Sequence, residues 1–170
     1  PSALPPVGGS RLYGSSRALT AEEITDLVDR FATAAVMLEQ AGFDGVELHA
    51  AHGYLVNQFL SPHHNRRDDD WGGDPQRRRR FLLEVYREMR RAVGADFPVG
   101  IKLNSADFQK GGFTSEESMD VVEAIAAEGI DLVEVSGGTY EKPAMVGHHL
   151  KESTRRREAY FLDYAAEVRR

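Results

Sequence analysis

An α/β fold of parallel strands with covering helices, in the form of a partial (β/α)8 barrel, is what the sequence predicts, and three observations predict it. Helical and strand patterns alternate as helix–strand–helix–strand–helix–strand–helix, which requires parallel strands joined by helical crossovers. The strands alternate apolar and polar residues, whereas a doubly wound sheet buries both faces and needs nearly continuous apolar runs. The strand ends carry His49, Lys102 and Ser136, at the end where a barrel places its chemistry.

Residues 1–20 are rich in proline, glycine and serine without an apolar period, and read as a loop or lid ahead of a partial barrel domain over 21–170. Thr20 with Glu23 is a capping-box pattern, so a helix starts there. Ile24, Leu27, Val28, Phe31, Ala35 and Leu38 recur at helical spacing, and Gly42 ends the helix. Residues 43–49 form the first strand, followed by a loop and short helical turn to about Leu60 and a polar, turn-forming stretch over 62–73. A second long helix spans about Pro75–Val93, with Phe81, Leu82, Val85 and Met89 on its buried side. Residues 98–103 form the second strand. Thr114 with Glu117 caps a third helix that carries Val121, Val122, Ile125 and Ala126 and stops at Gly129. Residues 130–135 are the third strand, and a last helix begins over Tyr160–Val168.

Strand parity separates two faces. Val46 and Leu48 oppose Glu47 and His49; Val99, Ile101 and Leu103 oppose Gly100 and Lys102; Val133 and Val135 oppose Glu134 and Ser136. One face is apolar and suits the helices, and the other bears ionisable groups. Glu47, Lys102 and Glu134 have the signs to satisfy one another, which any of them buried alone would need. A complete eight-stranded barrel takes at least about 200 residues, so 170 residues with three strands read as the middle of one. An open three-stranded sheet exposes two unpaired edges, to be covered by the rest of the barrel or by a homo-oligomer.

Composition narrows the chemistry. With 41% hydrophobic and 28% charged residues the chain is not of the disordered class. It has no cysteine, which removes disulfides, thiolate metal sites, iron–sulfur ligation and cysteine nucleophiles together. A net charge of −6 does not suit a general nucleic-acid binder. No apolar run approaches the roughly 20 residues of a membrane span, and there is no signal-peptide pattern, so a cytoplasmic location is expected.

The densest cluster is His49-Ala50-Ala51-His52-Gly53-Tyr54 at the first strand's end. Two histidines three apart on a turn can aim ring nitrogens at one oxygen and stabilise charge developing there, and Tyr54 can deliver a proton. No third ligand accompanies the pair, so no metal is expected. Lys102, one strand over on the same face, can hold an electron-rich ring or a phosphate, or pair internally with Glu47 or Glu134, and the two roles are compatible. The Ser136-Gly137-Gly138-Thr139 turn offers N–H groups to an anion, but a tight strand-to-loop turn explains it as well. The arginines at 77–80 read as solvated surface with interface pairing, Glu84 and Glu88 following at favourable spacing, and those at 155–157 read alike. His63, His64, His148 and His149 lie in loops and carry no assignment.

The stretch from Gly42 through His49-Ala50-Ala51-His52-Gly53-Tyr54 to Leu55, then Gln58-Phe59-Leu60-Ser61-Pro62, resembles the old yellow enzyme family. Asn65, Arg67, Asp69, Trp71-Gly72-Gly73, the residues at 78–81, 99–107, Gly111-Gly112-Phe113-Thr114 and those at 131–138 continue the pattern in register. The resemblance implies a (β/α)8 barrel and an FMN-dependent oxidoreductase, driven by NADH or NADPH, that reduces activated alkenes such as enones or quinone-like substrates. It implies that His49 and His52 bind the substrate's electron-withdrawing oxygen, that Tyr54 donates the proton to the α-carbon, and that Lys102 lies beside the flavin, with His49 also on the cofactor side. Arg77 departs from the asparagine common in the family, and Lys102 from its frequent arginine. The family's first three strands would precede this segment and its last two, with the phosphate-binding loops, would follow. Two other readings accompany this one: a segment of a dienoyl-reductase-type flavoenzyme, and a non-catalytic barrel fragment that retains no flavin by itself.

Overall fold

The computed structural model describes residue 2, residues 16–141 and residues 160–170. Most of the lid expected over 1–20, the arginines at 155–157, and His148 and His149 lie outside the described residues. The elements are α1 (Ala21–Gln40), β1 (Val46–Ala50), α2 (Leu55–Leu60), α3 (Pro75–Val93), β2 (Val99–Asn104), α4 (Ser115–Ala127), β3 (Leu132–Ser136) and α5 (Tyr160–Val168). The strands form one parallel sheet in the order β1-β2-β3. The expected partial barrel, three strand-and-helix units behind a leading helix, is the observed architecture.

Both capping boxes form. Glu23 N–H donates to Thr20 Oγ1 at 3.2 Å while Thr20 N–H donates to the Glu23 carboxylate at 2.8 Å, and Thr114 and Glu117 repeat the exchange at 3.2 Å each way. Asp74 caps α3 by accepting from Arg77 N–H at 2.9 Å, with Pro75 in the first turn, where its missing N–H costs nothing. The apolar stripe of α1 runs Ile24, Val28, Ala32 and Ala35. Leu38, expected on it, is 38% exposed.

Phe81 of α3 stacks on Phe59 of α2 at 4.3 Å and meets Phe31 of α1 edge-on at 6.3 Å. These rings, with Leu48, Val99, Ile101 and Leu103 from the sheet's outer face, form the core between sheet and helices. The strand starts differ from the sequence reading, β2 by one residue and the other two by more. Phe43 is 58% exposed and lies ahead of β1, and β3 begins at Leu132 because 128–130 still complete the turn that closes α4.

The arginines at 77–80 are not uniformly solvated. Arg78 is buried: its Nε donates to Leu60 O at 2.9 Å, one terminal nitrogen to Gly73 O at 2.5 Å, and the other pairs with Glu117. It therefore satisfies carbonyls at the end of α2 and in the loop before α3, a role that charge spacing along one helix does not reveal. Arg80 fits the surface reading better, pairing with Glu84 at 2.6 Å and lying over the Trp71 ring.

Candidate active site

The four residues singled out from sequence meet at the C-terminal ends of β1 and β2. His49 stands directly opposite Lys102 in the strand register. The His49 ring meets the His52 ring edge-on at 5.2 Å and the Tyr54 ring at 5.1 Å. Tyr54 is 55% exposed, and Tyr140, beyond β3, approaches it at 6.3 Å.

The turn that carries this cluster is held in an unusual shape. His52 has φ of 63°, left-handed backbone that a non-glycine residue adopts rarely and at a cost on the order of 1–3 kcal/mol. Three contacts fix it there. Its N–H donates to Asn104 Oδ1 at 3.3 Å, its carbonyl accepts from Tyr140 N–H at 3.1 Å, and its Nε2 bonds Ser136 Oγ at 2.7 Å. Gly53 follows at φ 81°, and a Cβ there would come within 2.8 Å of the Tyr140 ring, so only glycine lets the two loops close on each other.

Beneath the turn lies a polar network. Asp107 Oδ1 accepts from Asn57 at 3.1 Å and from Asn104 at 3.0 Å, and its Oδ2 accepts from Phe113 N–H at 3.0 Å. Asn57 Oδ1 in turn accepts from Gly53 N–H at 2.7 Å, and Asn104 Nδ2 also donates to Gly138 O at 2.8 Å. All three side chains are fully buried. Directly and through Asn57 and Asn104, the Asp107 side chain thus ties together the loops after β1, β2 and β3, with each buried polar group partnered. Site reasoning from sequence missed this trio; its only signal is three amide or acid side chains within otherwise apolar or turn segments.

The open face of the sheet carries Glu47, Lys102 and Glu134. Lys102 Nζ pairs with Glu134 at 2.5 Å, the internal pair expected as one of its two roles. Burial first, then the neighbouring Glu134 charge, pushes the Glu47 carboxyl up, while Lys102 draws Glu134 down. The two carboxyls are thus pushed in opposite directions, Glu47 towards its neutral form and Glu134 towards its charged form. Desolvation, followed by the Lys102 charge, lowers the His49 pKa; desolvation, then His49 and Lys102, lowers that of His52. Both rings are neutral near pH 7, and His49 Nδ1 accepts a long 3.4 Å bond from Ala51 N–H, which places its proton on Nε2. The cluster is thus one of uncharged donors beside a paired cation.

The Ser136–Thr139 turn is buried and internally engaged: Gly138 N–H donates to Ala106 O at 2.9 Å, and Ser136 holds His52. This is the tight-turn reading. A second polar group, His63, His64 and Glu141, lies where the loop after α2 meets the segment after β3.

The NADH:flavin oxidoreductase / NADH oxidase family model matches residues 5–161. The chain is 43% identical over 156 residues to the NADH-dependent flavin oxidoreductase nadA of Aspergillus parasiticus, covering 92% of this chain and 35% of that protein. It is 39% identical over 141 residues to an NADH oxidase of Thermoanaerobacter brockii, covering 83% and 22%. Among solved structures it is similar to a 2-naphthoyl-CoA reductase in complex with 2-naphthoyl-CoA, at TM-score 0.85 and 33% identity over 99% of this chain and 25% of that one. It is also similar to histamine dehydrogenase from Rhizobium sp. 4-9, at TM-score 0.68 and 33% identity over 74% and 18%. The chain spans well under half the length of these curated relatives. From the His-Ala-Ala-His-Gly-Tyr turn to the three parallel strands beneath it, sequence and fold agree with the match: the chain belongs to the NADH:flavin oxidoreductase / NADH oxidase family, oxidoreductases that use FMN with NADH or NADPH.

Proposed function

We propose that the protein carrying this chain reduces activated alkenes, enones foremost, with His49 and His52 holding the substrate's electron-withdrawing oxygen and Tyr54 delivering a proton to the α-carbon. The observation that carries the reading is the packing of both the His52 and the Tyr54 ring edge-on against His49, at 5.2 and 5.1 Å, with Lys102 opposite His49 in the strand register. Neutral imidazole donors suit an oxygen that gains charge only as the reaction proceeds, because they stabilise that charge without binding an anion tightly beforehand.

The residues present fit a flavin edge. Lys102 offers a cation whose partner, Glu134, is itself half exposed, and His49 offers a neutral Nε2–H next to it on an open face. Lys102 and His49 would hold the ring, and FMN, recharged by NADH or NADPH, supplies hydride chemistry when bound. The chain's own residues orient substrate and cofactor, keep the two histidines neutral, and hold the proton on the Tyr54 hydroxyl until it is needed. A small-molecule substrate and a cytoplasmic site of action, where the reductant is plentiful, belong to the same proposal. No helix among the described residues is long and apolar enough to cross a membrane.

A thioester variant of this reading is favoured by one observation, the likeness at TM-score 0.85 to a naphthoyl-CoA reductase. The same clamp would then hold a thioester carbonyl of a dienoyl or aryl substrate.

The test uses the intact flavin-loaded protein. Tyr54→Phe is expected to slow alkene reduction by about 10²-fold or more while flavin reduction by NAD(P)H stays at the wild-type rate. His49→Ala is expected to weaken phenol and enone binding. Equal alkene turnover in wild type and Tyr54→Phe across several substrates would remove the proton-donor role. A kcat/KM higher for unsaturated thioesters than for simple enones would select the thioester variant.

A further inference from the structure

We propose that His63, His64 and Glu141 form a binding site for a divalent transition-metal ion of the zinc class, separate from the His49–His52 pair. The three residues come from two segments far apart in sequence, the loop after α2 and the segment after β3. One ligand atom from each lies within 4.8 Å of the other two. His64 Nε2 is 3.2 Å and His63 Nε2 3.5 Å from the carboxylate oxygens of Glu141. Ligands about 2.0–2.2 Å from a tetrahedral zinc lie roughly 3.3–3.5 Å from each other, so each histidine nitrogen already stands near ligating separation from the carboxylate.

The donor set selects the ion. Two imidazoles and one carboxylate suit zinc and its first-row neighbours, whereas calcium and magnesium take oxygen ligands. Three protein ligands leave a fourth position open to water. The outer contacts are those of a built site: Gln109 Nε2 donates to Glu141 Oε2 at 3.0 Å and orients the carboxylate, and the His64 side chain is only 3% exposed. His64 Nδ1 has no hydrogen-bond partner among the described residues, so the ring proton can pass to it when the metal takes Nε2.

The bound ion would staple the two segments at the mouth of the site. Glu141 directly follows Tyr140, whose ring closes over Gly53, and Gln109 also meets Thr139 at 3.3 Å.

The probes are zinc by calorimetry and cobalt by its visible ligand-field bands, added to untagged intact protein freed of metal by a chelator. One equivalent is expected to bind, with affinity lower by at least about tenfold in Glu141→Gln and in His63→Asn. Glu141→Gln is isosteric and His63→Asn removes part of a ring at a partly exposed position, and circular dichroism confirms that the variants are folded. His52→Ala and a His148→Ala/His149→Ala double variant are expected to bind like wild type. Absence of stoichiometric binding overturns the proposal, since Glu141 is then only a shared hydrogen-bond acceptor. So does loss of binding in either control, which moves the ion elsewhere. None of these readouts depends on alkene turnover, so the proposed reaction can fail while the metal site stands, and the reverse.

Discussion

Two polar regions draw on the same strand, β2, in this protein and differ in almost every physical respect. The Asn57–Asn104–Asp107 trio is fully buried and every contact is a hydrogen bond to a defined partner. The Glu47–Lys102–Glu134 face is partly open to solvent, with one ion pair between Lys102 and Glu134 and a Glu47 carboxyl pushed up by burial and by the Glu134 charge. Buried polar groups must be satisfied in one geometry or they cost several kcal/mol, so they fix shape. Exposed charges are screened and adjustable, so they contribute little stability and are free to meet a ligand. The lower network builds the turn, and the upper face uses it.

The sharpest break of this contrast is Asp107→Ala. It strands two amide donors and the Phe113 N–H in a buried site, and should cost about 3–5 kcal/mol in denaturant unfolding. Next is Gly53→Ala, which forces a Cβ against the Tyr140 ring at a positive φ; a loss of about 1–3 kcal/mol is expected, with a change in Tyr140 fluorescence. If Asp107→Ala proved milder than Gly53→Ala, the network would not be what holds the turn.

The histidine pair lies between the two regions and is tested by pH. Folded His49 and His52 titrate below the ordinary value of about 6.5, so the unfolded chain binds more protons as pH falls. Their contribution to stability is therefore present above about pH 6.5 and is lost as pH drops through the folded values. Imidazole proton NMR should show both rings titrating below a free histidine.

On the open face, Glu134→Gln should change stability by less than about 1 kcal/mol, yet the Glu47 carboxyl should fall toward its ordinary range, as carboxyl NMR would report. The smallest effect belongs to Glu23, held at about 2 by Arg17 and the Thr20 backbone. Its contribution is present above the ordinary carboxylate range and lost as pH falls toward 2. Arg17→Ala should bring that acid transition to higher pH, visible in helix content.

Much of this was legible in the residues. Thr20 with Glu23, and Thr114 with Glu117, specify helix starts through contacts three residues apart. Val46 and Leu48 against Glu47 and His49 specify a one-sided strand, because side chains alternate whatever the neighbours are. His49, His52 and Tyr54 stood out because they share one short turn. Arg78 was misread as surface, and the Asn57–Asn104–Asp107 trio and the His63–His64–Glu141 cluster went unassigned, because their partners lie between 39 and 77 residues away for Glu117 and Glu141.

Local spacing thus determined the helices, the strands, their apolar faces and the histidine–tyrosine turn, since each depends on chain geometry within a few residues. Only the tertiary structure decided the left-handed backbone of His52, the closing of Tyr140 over Gly53, and which of Glu47 and Glu134 pairs with Lys102. Those depend on distances between strands and loops, which the parallel crossovers set and which no interval along the chain records.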